Sequence, residues 1–287
     1  MIRRAAPRGA KSPAQWLLIS QQEHARLSHE LAAAWGNERV APLLCSATDP
    51  AAPLAGVRAE FLRAVLHHDD GWADWWASPG IDPEHGRPYS FTEMPPDDAQ
   101  RIWSASIDIC RAIGPLAGWV VASHFSRLQS KVDEDYEQWR PWLARVDALR
   151  ADWLREWLDA STQHTPILAE NCLEWLQALD WMSLWFCCLC PSRDEPMEQA
   201  EPLIVGGVAP LVGVHFTPAR ETTGEPSKPI GSGWVDVDPW PFKAAELVLT
   251  AEAVSVSAER RWNSASDLRK QQSPCRLAWR LAPRVQG

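Results

Sequence analysis

No stretch of the 287 residues stays apolar for the roughly 18 positions that a membrane-spanning helix needs. The longest candidate, "WMSLWFCCLC" over 181–190, starts beside Asp180 and is too short. The opening "MIRRAAPRGAKSPAQ" is basic and rich in Pro and Ala, without the apolar centre of a secretory leader. A cytoplasmic protein with a flexible N-terminus over 1–15 is therefore expected. A surplus of positive charge is missing too. The 28 Lys and Arg face 37 Asp and Glu, a net charge of −9, and no basic stripe carries interleaved aromatics. Neither nucleic acid nor a membrane is an expected partner.

Phosphate-cradling loops are also wanting. "VGGV" and "GSGW" lack both the G-x-G-x-x-G spacing and a following Lys-Ser/Thr. The seven cysteines, at 45, 110, 172, 187, 188, 190 and 275, crowd three into one predicted helix. That spacing gives neither a disulfide framework nor a four-ligand zinc cage, so buried thiols are expected. No internal repeat stands out.

What the chain does have is helical grammar followed by β grammar. "WLLI" at 16–19 reads as a strand, and "SQQE" as a capping box that starts a helix at Ser20. Gly36 supplies its stop. A second helix is predicted from Val57 to Asp69, with Gly71 free to turn left-handed and end it. Residues 77–96, rich in Pro and Gly, form a loop long enough to be a lid or a site wall. Helical periods resume over 97–113, 115–128, 133–160 and 165–190. After Pro191, "PLIVGGVAPLVGVHF", "SGWVDVDPWPF", "AELVLTAEAVSV" and "RLAWRLAP" are short β-rich runs, a small β portion that "WLLI" at the N-terminus could join. Many of the 18 tryptophans recur at helical spacing, as at Trp139, Trp142, Trp153 and Trp157, which marks them as packing residues.

Polar groups on apolar helical faces need partners. His24 shares a face with Leu27, Leu31 and Trp35, and His68-Asp69 closes the second helix. His124 sits inside the apolar "PLAGWVVASHFSRL", and Asp180 shares a face with Leu173, Leu176 and Leu184. These five nitrogen and carboxylate donors would all be satisfied by a divalent transition metal, whether iron, manganese or zinc. Taken singly, each could instead be a hydrogen-bonded core residue or a cap.

"VLHHDDGW" resembles the motif of the HD-domain superfamily, with His68-Asp69 in its His-Asp positions. His24 then fits the upstream histidine, Asp180 the downstream aspartate and His124 an accessory histidine of bimetallic members. The wider set "SQQEHA", "HHDDGW", "GRPYSF", "LDWMSLWFC" and "DPWPF" also resembles an uncharacterised bacterial family, domain of unknown function 3891. The resemblance implies a mainly α, HD-like helical bundle over 16–190 that holds one or two metals. A small β-rich C-terminal portion over 191–287 would pack on it. His85 and His164 are expected at the surface, and His67 is turned about 100° from His68, away from the ligands.

Three functions are compatible with this set. The first is a metal-dependent hydrolase that activates water against a small phosphoester-like substrate. Asp70 and Arg127 are its catalytic candidates, and Arg87, Lys131 and Trp72 its substrate-binding candidates. Asp70 could equally cap the helix or pair with an arginine. The second is a non-heme di-iron oxygenase of a small organic molecule, and the third a non-catalytic metal- or ligand-binding module. Self-association as a homodimer is left open.

Overall fold

A computed structural model of the chain describes residues 1–6, 14–44, 54–129, 136–192, 201–205, 213–219 and 233–284. Strands β1 (Ile2–Ala5) and β2 (Gln15–Ile19) lead into helices α1 (Gln21–Ala34) and α2 (Ala55–His67). A 3-10 turn (Asp70–Trp72) and the short α3 (Ala73–Ala77) follow. The hairpin of β3 (Ile81–Asp82) and β4 (Arg87–Pro88) precedes a second 3-10 turn (Phe91–Glu93). Next come α4 (Pro96–Ile113), α5 (Pro115–Gln129), α6 (Tyr136–Asp159) and α7 (Pro166–Cys188). The chain finishes with β5 (Leu203–Val205), β6 (Val214–Ala219), β7 (Trp234–Asp238), β8 (Leu247–Ser257), α8 (Ala265–Arg269) and β9 (Ser273–Pro283).

Seven strands form one sheet in the order β1-β2-β8-β9-β7-β6-β5, antiparallel throughout except for the β7–β9 pair. Its long centre, β8 and β9, alternates strictly along much of its length. Leu249, Ala251, Ala253, Leu277, Trp279 and Leu281 point inward, while Glu252, Arg276 and Arg280 face solvent. The inner face packs on α1 and α7, which in turn meet α2 and α5, so sheet and helices share one core. Trp139, Trp142, Trp153 and Trp157 are buried in that core from α6.

The expected mainly α bundle is thus overturned, and the protein is mixed α/β. One part of the sheet was hidden in the sequence. Residues 2–5, read as part of a flexible basic tail, form its edge strand, because Arg3 and Arg4 find partners far along the chain. Arg3 makes a two-pronged bond to Glu93 at 2.9 and 2.7 Å. Arg4 reaches the carbonyl oxygens of Phe186, Cys187 and Cys190 at the C-terminal end of α7. Strand β2, the "WLLI" run, does join the C-terminal strands, meeting β8 across more than 230 residues and pairing Leu18 with Val254. The β-rich tail therefore supplies five of the seven strands of a sheet that begins at the N-terminus. Parts of "PLIVGGVAPLVGVHF" and "SGWVDVDPWPF" lie outside the described residues, as do Cys45 and Lys131.

Candidate metal centre

The phase of α1 is set at its first turn. Ser20 Oγ accepts from the Glu23 backbone N–H at 3.1 Å, as a capping residue should. The reciprocal half of the box is not made. Glu23 instead accepts from the Glu252 backbone N–H at 2.8 Å and pairs with Arg26, tying α1 to β8. That register sends His24 inward to 1% exposure. Gly36, with φ of 107°, ends the segment as expected.

The second helix closes at His67, and His68 keeps right-handed helical angles as its C-cap. Asp69 leaves the helix at φ −114°, ψ 17°. Here the expected role of Gly71 needs correcting, because its φ is not left-handed. Its backbone lies against α4, donating to Ser106 Oγ at 3.0 Å, and a Cβ there would stand 2.2 Å from the Ile102 carbonyl oxygen. Glycine is required for close approach, and that approach fixes His68 and Asp69.

Helices α1, α5 and α7 and the α2 terminus bring the five expected donors together. His24 Nε2 lies 2.9 Å from Asp180 Oδ1 and 3.4 Å from Asp69 Oδ2. His68 Nε2 lies 3.4 Å from Asp180 Oδ1 and 3.6 Å from Asp69 Oδ2. Donors bound at about 2.0–2.2 Å to one ion in tetrahedral or octahedral geometry stand roughly 2.8–3.6 Å from their neighbours. All four contacts fall in that range. His24, His68 and Asp180 in particular can each offer a donor atom within 4.8 Å of the other two. His124 Nε2, 4.0 Å from the other oxygen of Asp180, lies just beyond the range.

Tautomers point the same way. His68 Nδ1 faces the Val65 carbonyl at 2.7 Å, an acceptor only, so in the neutral ring the proton sits on Nδ1 and Nε2 carries the lone pair. That Nε2 is buried without a hydrogen-bond partner. A buried nitrogen left bare among carboxylates is what a metal ligand looks like before the ion is added.

The charges are strongly coupled. Burial opposes protonation of His24, but hydrogen bonds to Asp180 and Asp69 outweigh it and raise the pKa to about 9. Burial also opposes charge on His68, and the Asp69 and Asp180 carboxylates again win, raising its pKa. Asp180 is held well below the ordinary carboxylate value: burial opposes its charge, and His124, His24 and His68 overcome that. Asp69 is likewise lowered, against burial, by His68 and His24. His124 is lowered, chiefly by burial. A divalent ion would replace imidazolium charge and balance the two carboxylates.

A pH prediction follows for the metal-free protein. The folded pKa of His24, about 9, exceeds its unfolded value near 6.5. The stabilisation is therefore full below about pH 6.5 and drains away as pH rises through 9. Thermal unfolding in chelator should show a midpoint falling across that window, and His24→Gln should flatten the fall.

Other expected site residues lie elsewhere. Asp70 pairs with His67, Oδ2 to Nδ1 at 2.7 Å, both about one-third exposed. The four ionisable residues of "HHDD" are thus two pairs, one at the surface and one in the core. Arg127 pairs with Glu170 and donates to Gln177 on α7. Arg87 is taken up by Glu93 at 3.0 Å and Asp82 at 3.7 Å. Trp72 is buried with Trp75 and Ile102. His85 is an exposed partner of Asp82, and His164 stacks on Trp157 at 4.0 Å. The described cysteines are free thiols. Burial pushes Cys110, Cys172 and Cys187 above their usual range.

Two residues escaped sequence reasoning. Ser28, one turn after His24, and Ser183, one turn after Asp180, meet at 2.7 Å behind the histidine. The signal was available: both sit on the helical faces that carry His24 and Asp180.

A family model described as protein of unknown function (DUF3891) matches residues 9–258, stopping short of α8 and β9. No curated protein and no solved structure matches the chain. No helix among the described residues is long and apolar enough to cross a membrane.

Proposed function

The chain belongs to this DUF3891 family of proteins of unknown function, and we propose that it is a metal-dependent hydrolase. Its ion would be a divalent transition metal held by His24, His68, Asp69 and Asp180. The observation that carries the reading is the bare, buried Nε2 of His68, facing Asp180 and Asp69 across 3.4 and 3.6 Å. Nitrogen donors in equal number with carboxylates suit zinc, iron or manganese better than calcium or magnesium. When bound, such an ion polarises a substrate and acidifies a water. The chain's own residues orient that ion, and their burial keeps bulk water from competing. The order His24, His68-Asp69, His124, Asp180 along the chain supports an HD-type arrangement of ligands. The free thiols fit the reducing cytoplasm.

The phosphoester expectation has little support in the arginines meant to serve it. Arg127 and Arg87 are paired with acids, so the proposal is kept at hydrolysis. A di-iron oxygenase is the second reading. It is favoured by His124, whose ring stands 4.0 Å from Asp180 Oδ2, where a second ion could be held. The test is reconstitution with zinc, manganese or iron(II) after chelation, followed by elemental analysis and turnover of chromogenic ester substrates. Stoichiometric binding with metal-dependent hydrolysis is expected. An oxygen-sensitive visible band with iron and no hydrolysis would favour the oxygenase. Failure of all three metals to bind would end both readings.

A further inference from the structure

We infer that Ser183, assisted by Ser28, is a positioning residue for the metal centre: its hydroxyl oxygen accepts a hydrogen bond from His24 Nδ1–H. This rests on the reading of the His–Asp cluster as a metal site. Ser183 Oγ lies 2.6 Å from His24 Nδ1, 2.9 Å from the Asp180 carbonyl oxygen and 2.7 Å from Ser28 Oγ. The protons can be placed without conflict. The Ser183 hydroxyl donates to the Asp180 carbonyl, which can only accept. Its oxygen then accepts from His24 Nδ1–H and from the Ser28 hydroxyl. Ser28 has alternative acceptors in the carbonyls of His24 and Leu179, at 3.2 and 3.3 Å.

Both serines are fully buried, so no solvent competes for these bonds. The consequence is directional. With a proton held on Nδ1, the nitrogen that gives up its proton to the ion is Nε2, the atom facing Asp180 and Asp69. The relay also ties α1 to α7, the two helices that bring His24 and Asp180 together. Outer partners of this kind fix the tautomer and ring orientation of a ligand, and their loss typically costs 10–100-fold in affinity.

The test compares zinc affinity in the full-length protein and in Ser183→Ala, Ser183→Thr and Ser28→Ala. Nitrogen-15 NMR of the zinc-loaded wild type then locates the His24 proton. Ser183→Ala should weaken binding about 10–100-fold, while Ser183→Thr, which keeps the hydroxyl, should restore most of it. Ser28→Ala should cost less. The spectrum should place the proton on Nδ1. A proton on Nε2, or wild-type affinity in Ser183→Ala, would overturn the inference. Because the NMR needs no substitution, it decides the matter even if a variant fails to fold. Wild-type zinc binding in both His24→Ala and Asp180→Ala would instead overturn the metal-site reading itself.

Discussion

Replacing Asp180 by alanine should abolish stoichiometric metal binding, a loss larger than the roughly 10–100-fold typical of outer-shell partners. Asp180 is the hinge of the cluster. One of its oxygens faces both His24 and His68, and the other approaches His124. Its removal should also destabilise the metal-free fold, since the raised pKa values of His24 and His68 depend on it. Stranding buried positive charge costs about 3–5 kcal/mol, and the histidines would respond in part by losing their protons. Asp180→Asn keeps the shape and removes only the charge. It should recover part of the stability without recovering stoichiometric metal. Elemental analysis and urea unfolding with and without chelator separate the two effects. If Asp180→Ala retains a full complement of zinc, the centre has been misassigned.

The five donors were legible because burial makes charge expensive. A histidine or aspartate at i, i+3 and i+4 from leucines must find a partner, and His24, His124 and Asp180 announced themselves in that way. Helix α1 was legible from Ser20, whose cap bond is made as the sequence implied, although Glu23 found partners 3 and 229 residues away rather than completing the box. Distance along the chain is what defeated the rest. Nothing local to Ile2–Ala5 reveals that Arg3 will meet Glu93 or that Arg4 will cap α7. A short basic segment without those partners looks like a tail. The partner of Arg127 was hidden in the same way, since it pairs with Glu170, 43 residues on. The β-rich runs were visible as strands, and "WLLI" as a run that could join them across a helical stretch of some 170 residues. The pairing with β8 settles which strand "WLLI" joins and lays the sheet against α1 and α7.

Gly71→Ala should be among the most damaging substitutions of a single methyl group. The new Cβ would stand 2.2 Å from the Ile102 carbonyl oxygen, 2.6 Å from the Ser106 nitrogen and 2.8 Å from Ser106 Oγ. Two of these three atoms are backbone of α4, which cannot rotate out of the way. The turn must move instead, and the bond from the Gly71 N–H to Ser106 Oγ is strained or lost. Overpacking of this kind costs about 1–3 kcal/mol and a lost hydrogen bond about 1 kcal/mol more. Gly56→Ala supplies the contrast. It lies in the exposed first turn of α2 with nothing within 4 Å of the added carbon. That change should stabilise the protein by about 0.5–1 kcal/mol through helix propensity and a less flexible unfolded chain. Because Gly71 follows Asp69 by two residues, its displacement should also pull that carboxylate from His24 and weaken metal binding. Urea midpoints that move in opposite directions, with zinc affinity reduced only in Gly71→Ala, are the expected result. Equal and small shifts in both would mean that close approach to α4 does not position the motif.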